Sequence, residues 1–376
     1  SEPVQLLREA LTGLPDDEPE LRAQVLSALA QELHEHASGR LDEARALAAE
    51  ALALADARCP GTTVARCLQA QYAVWWQPGF AAQRAEIAAR MVGVARTVGD
   101  DEAEAVAHLL HGTALLELGD AAAFEVLDRF FGLADRLRLP RLGYLALTRR
   151  TALAILRGEF DAARRLLAEA SDLGARVGEP DAIHVEFHLH WELARLLGDR
   201  RQLLDRPLPG PQIVHVQLYG LVWPPLILLD AGRHDEAERA FADAAAVPLD
   251  DVRRDWVFLH NVSDLGEAAE FVGRGEIAQS CREAMAPYSG TVCVVSATVA
   301  VAGAVDHHLG ALALAGGDVA AAVEHLRAAL VVHERLGARP WADATRALLD
   351  RALATVDASR AAGSLVREGR VWRVSW

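Results

Sequence analysis

Eight short glycine turns recur along this chain, at Gly39, Gly79, Gly119, Gly158, Gly198, Gly232, Gly275 and Gly317. Successive intervals are 40, 40, 39, 40, 34, 43 and 42 residues. Self-similarity at such a period marks a unit that cannot bury its apolar face alone and must stack on copies of itself. The stretches after the turns have helical spacing. Phe160, Ala163, Leu167, Ala170, Leu173 and Val177 fall three or four apart and form one apolar stripe. The glycine suits the left-handed position just past a helix end. Each unit therefore reads as helix A, a glycine turn, then helix B.

The spacing predicts B helices over 42–57, 81–98, 121–137, 160–177, 235–247, 275–286 and 319–336. It predicts A helices over 19–36, 62–77, 101–117, 140–157, 179–197, 212–231, 252–272 and 298–315, with a closing helix near 341–356. The fold class is all-α: a right-handed superhelix of stacked helical hairpins over 1–358, of tetratricopeptide type but with a period near 40 instead of 34. Residues 359–376 form a short β-prone tail around a Glu-Gly turn and read as the start of a following module. Two places break the repeat. Pro207, Pro209 and Pro211 mark a loop in the shortened unit, and Pro224-Pro225 should kink or split the next A helix.

All 38 basic residues are Arg, which removes P-loop chemistry and Lys-dependent Schiff-base or pyridoxal chemistry. A net charge of −15 argues against a surface that tracks nucleic-acid phosphates. The weakly polar run from Thr291 to Val305 is too short and too rich in small residues for a membrane helix. With no cationic, apolar leader at the Ser-Glu-Pro start, the expected location is the cytoplasm. Cys59, Cys67, Cys281 and Cys293 lack metal or redox spacing and read as buried thiols.

In a stacked array the A helices line the concave wall. Eleven of the 14 His fall on A helices, as do Trp75, Trp76, Trp191, Trp223 and Trp256, whereas Phe lies largely on the B side. Asp181, His184, His188, Trp191 and Arg195 share one helix face, and the next A helix repeats the pattern with Gln212, His215, Tyr219 and Trp223. Two readings stay open: a solvated wall, or a groove that binds a protein segment or small-molecule effector. His184-x3-His188, with Asp181 beside it, has zinc-like spacing, but without HExxH or a Cys pair it reads as a hydrogen-bonded pair. No metal or cofactor is expected, and no catalytic residues. Gly273-Arg-Gly-Glu-Ile-Ala278 matches a dinucleotide fingerprint only formally, since it follows a helix. Arg138, Arg141, Arg149, Arg150 and Arg157 form a local basic run, read as a solvated face or a contact for an acidic partner.

From Asp255 onward the sequence resembles a known family. The residues are Tyr288-Ser-Gly290, Val305-Asp306 before an A helix, Leu336-Gly-Ala-Arg-Pro-Trp341, and the tail REGRVWRV. They are similar to the C-terminal helical-repeat region of large actinobacterial ATP-dependent regulators, the signal-transduction ATPases related to the maltose-operon activator and the large LuxR-type regulators. The resemblance implies a non-catalytic sensor or partner-binding arm excised from a longer transcriptional or signalling protein. The alternative expectation is a purely structural scaffold or self-association domain.

Overall fold

The computed structural model describes residues 2–15, 17–36, 39–209, 218–361, 364–368 and 371–375. In chain order its helices begin α1 (Glu2–Gly13), α2 (Pro19–His36), α3 (Leu41–Arg58), α4 (Gly61–Val74), α5 (Ala81–Val98), α6 (Asp101–Glu117) and α7 (Ala122–Leu137). They continue as α8 (Pro140–Arg157), α9 (Phe160–Val177), α10 (Ala182–Leu197), α11 (Trp223–Asp230), α12 (His234–Ala245), α13 (Phe258–Phe271) and α14 (Gly275–Met285). Strands β1 (Val292–Val295) and β2 (Ala300–Ala304) precede α15 (Val305–Ala315), α16 (Val319–Arg335) and α17 (Arg339–Ala361). The tail strands β3 (Ser364–Glu368) and β4 (Val371–Ser375) pair antiparallel.

The helices pack as successive hairpins, α2/α3, α4/α5, α6/α7, α8/α9, α11/α12, α13/α14 and α15/α16, with α17 laid on α16. The all-α stack of paired helices is thus the observed architecture. Among the described residues helix α10 has no B partner; a 3-10 turn, Arg200–Leu203, stands in its place before Pro207 and Pro209. Seven of the eight turn glycines adopt φ between 67° and 87°. Gly275 instead opens α14, and Gly273, at φ 72°, makes the turn. On α9 the stripe faces inward: Ala163, Leu167 and Ala170 are buried while Glu169 is exposed.

Four expectations need correction. The A helix expected over 298–315 starts only at Val305, because β1 and β2 form an antiparallel hairpin just before it. Val292, Val294, Val295, Val299 and Val301 are β-branched and stiff at χ1, which favours the pleated backbone. Gly303 has φ 76°, and a Cβ there would lie 2.7 Å from the Trp341 ring, so only glycine fits. Of the A helix expected over 212–231, residues 212–217 lie outside the described residues, and the described part is helical over Trp223–Asp230. Pro224 and Pro225 occupy its first turn, where a missing N–H costs nothing, so they start a helix and do not kink one. The A helix expected over 252–272 begins at Phe258, after a 3-10 turn at Leu249–Asp251. The first helix, α1, was not expected at all.

The hairpin also changes what the inner surface is. It lies among the A helices, touching α6, α8, α10 and α13. Thr298 Oγ1 meets Thr113 Oγ1 at 2.7 Å, and Arg149 Nε donates to the Ala297 carbonyl at 2.8 Å. Val292, Val295 and Val301 are buried, and full burial of each stabilises the fold by roughly 1.5–3 kcal/mol. Late units reach early ones as well. Arg253 donates to the carbonyls of His34 and Glu35, Arg335 to that of Gly119, and Pro340 packs on Gly158. The array curls until its inner layer is core. An open concave groove was the expectation; the chain's own hairpin fills that space.

Candidate functional site

Helix α10 carries most of the expected site. Its N-cap residue, Asp181, is exposed, while His184, His188 and Trp191 are buried, Trp191 completely. His184 Nδ1 pairs with the Tyr219 hydroxyl at 3.1 Å. The His188 ring stands 5.3 Å from Trp223, 5.2 Å from His260 and 5.6 Å from Tyr219. Thus His184, His188, Trp191, Arg195, Tyr219 and Trp223 do come together, as an aromatic core and not as a solvent-lined wall. Gln212 and His215 lie outside the described residues.

At the end of α10 this core becomes ionic. The Arg195 side chain, only 6% exposed, forms ion pairs with Asp264 and, at 3.5 Å, with Glu192. Neutral His260 donates from Nε2 to Glu192 at 2.9 Å, and Trp223 Nε1 donates to Asp264 at 3.2 Å. Burial works against the Glu192 carboxylate, but Arg195 and the His260 hydrogen bond outweigh it and hold its pKa below the usual range. Burial keeps His260 neutral against the pull of Glu192. Arg200 donates from its main chain to Asp230 at 3.0 Å and from its guanidinium to Glu267. Glu267 is likewise held ionised: Arg200 and Arg195 outweigh the cost of its burial.

This network opens on a cavity of about 360 Å³, walled by α10, α13, α15, α17 and the 3-10 turn. Arg195, Arg200, Glu267 and Glu270 supply its charges; His307, His308, Leu312 and Trp341 supply much of the remaining wall. Phe271, 65% exposed, stands at its rim. The His tautomers follow from their partners. Thr345 donates its hydroxyl to the Trp341 carbonyl at 2.7 Å, so its oxygen accepts from Nδ1–H of His307 at 2.9 Å and of His333 at 3.0 Å. His333 Nε2 in turn accepts from the Ala304 N–H at 2.8 Å. His308 Nε2 donates to the Ala302 carbonyl at 2.8 Å. Each ring is kept neutral, chiefly by burial, and His308 is lowered to about 4. The remaining nitrogens, His307 Nε2 and His308 Nδ1, therefore carry lone pairs.

Sequence reading singled out the α10 face. It drew none of Glu192, Arg200, Glu270, Phe271, Trp341, His307 and His308 into the site. Those residues lie on five elements, and no local pattern joins them. The adjacent His307 and His308 rings, set at 88° to one another, sit in one wall because both flank Trp341.

Among the described residues no group of three His, Cys, Asp or Glu is placed to hold a metal ion. The thiols of Cys67, Cys281 and Cys293 are buried, and burial pushes Cys281 up to about 12. The basic run does not form one face. Arg149 is buried against the hairpin and Arg150 pairs with Asp135 at 2.7 Å, which leaves Arg138, Arg141 and Arg157 exposed. Among the described residues no helix is long and apolar enough to cross a membrane.

No protein-family model matches the chain, and no curated protein matches it. Among solved structures it is similar to a circular tandem repeat protein with novel repeat topology and enhanced subunit contact surfaces. The identity is 15%, over 95% of this chain and 91% of that one, with a TM-score of 0.22. That likeness carries no argument; the fold rests on the helix pairing itself.

Proposed function

We propose that this chain is a non-catalytic sensor module that takes a small molecule into the cavity between α10, α13, α15 and α17. In this reading it serves as the regulatory arm of a larger ATP-dependent transcriptional or signalling protein. The observation that carries the sensing role is the pair of buried, carboxylate-matched guanidinium groups of Arg195 and Arg200 at the wall of a void of about 360 Å³. A scaffold built only for stacking needs no buried charges at the wall of a cavity, because desolvation costs more than their pairing returns unless the geometry is tightly held. A void of this size falls in the range of small-molecule sites. The resemblance of Asp255 and the residues after it to the helical arms of such regulators supports the parent context.

The cavity walls come from separate units of the array, so an occupant would tie those units together. A ligand that binds only the native state stabilises it by about 2.7 kcal/mol at a hundredfold excess over Kd. The test is a thermal-shift screen of a small-molecule library against wild type and Ala311→Trp, whose indole would fill the void. Compounds that raise the melting temperature of wild type but not of the filled variant are expected. If every active compound stabilises both equally, the cavity is not the sensing site.

A further inference from the structure

Resting on that reading, the chemistry of the cavity narrows its occupant. Its two cations are already matched. Arg195 faces Asp264, Glu192 and Glu267, and Arg200 faces Glu267 and, at 3.8 Å, Asp230. Glu270, also in the wall, has no cation within ion-pair distance among the described residues. The immediate surroundings thus hold two guanidinium groups against five carboxylates, a local surplus of negative charge that repels an anion and favours a cation.

A second, independent observation points the same way. His307 and His308 are more than nine-tenths buried, line the cavity, and present lone pairs at Nε2 and Nδ1, with no protein donor to either among the described residues. Acceptors without donors ask for a ligand that donates. Trp341 and Phe271 line the same wall, and aromatic rings accommodate both an apolar body and a positive charge.

We propose that the cavity binds a small amine: an ammonium group that donates to Glu270 and the free nitrogens of His307 and His308, on an apolar or aromatic body. At ~30 Å³ per water-sized group, the void holds about a dozen such groups, the size of an arylalkylamine.

The experiment is titration calorimetry of the full chain at pH 7.5 with phenethylamine and tryptamine, beside 2-phenylethanol and 3-phenylpropionic acid as neutral and anionic counterparts. The amines are expected to bind at least tenfold more tightly than the alcohol, and the acid not at all. Glu270→Gln should weaken the amines about tenfold and leave the alcohol unchanged. Ala311→Trp should abolish binding of both. If the alcohol or the acid binds as tightly as the amines, the amine assignment falls while the sensing cavity stands. If no probe binds, or if Ala311→Trp leaves amine binding intact, the amine site proposed here is wrong.

Discussion

Arg195→Ala is expected to destabilise the fold by about 3–5 kcal/mol, because removing one partner of a buried ion pair leaves the others charged and uncompensated. Here those others are Glu192 and Asp264, both buried, with Glu192 already held ionised by this arginine. Arg96→Ala is the control. Arg96 is 52% exposed and pairs with Glu104 at the surface, where such pairs are worth ~0–1 kcal/mol. Chemical denaturation of the two variants measures the contrast. Adding Asp264→Asn to Arg195→Met should recover part of the loss, since the carboxamide still accepts from the Trp223 indole without a stranded charge. Equal small shifts for Arg195→Ala and Arg96→Ala would mean that the ionic cluster is solvated.

Acidification from pH 7 to 4.5 is the second large effect. Burial, with His308 adding to it, lowers His333 to about 3; burial, with Arg195 adding to it, lowers His308 to about 4. Burial likewise takes His34 and His190 to about 4, helped by Arg253 and Arg206. An unfolded histidine binds its proton near pH 6.5. Between roughly pH 6.5 and 4 the unfolded chain therefore holds more protons than the folded one. The stability that the neutral rings contribute is complete above the unfolded value and is lost as pH falls. Asp255, raised to about 6 by burial, opposes this by about one proton. A net uptake of about three protons on unfolding gives a slope of roughly 4 kcal/mol per pH unit near pH 5. Denaturation curves across that range check it, and stability that stays flat or rises toward pH 5 would contradict the burial of these rings.

The period of the glycine turns made most of the helical ladder legible, because a stacked unit repeats its own burial pattern. It failed where burial on both sides erases periodicity. From Val292 to Ala304 the residues are apolar or small on every side, so neither a helical nor an alternating pattern could show. The surplus of valines and a bounding Gly290 were the remaining signal for strands. The clustering of His and Trp on A helices was visible as well, but not its meaning. Polar-edged rings can line a wet groove or satisfy one another in a core, and only the filling of the groove by β1 and β2 decides between them. The cavity was out of reach for another reason: Arg195, Glu270, His308 and Trp341 meet across four helices, and their spacing along the chain carries no trace of it.

The inner layer is packed core, sealed by the hairpin of β1 and β2, and amide hydrogen exchange of the native chain reads that packing out. The N–H groups of Val299 and Val305 donate to the carbonyls of Val295 and Thr291, and that of Ser296 to Trp256, all inside the array. Their exchange should be as slow as that of the buried helix α8, requiring global or near-global opening. Exchange of this segment within seconds, while α8 stays protected, would mean that the hairpin lies loosely in an open groove.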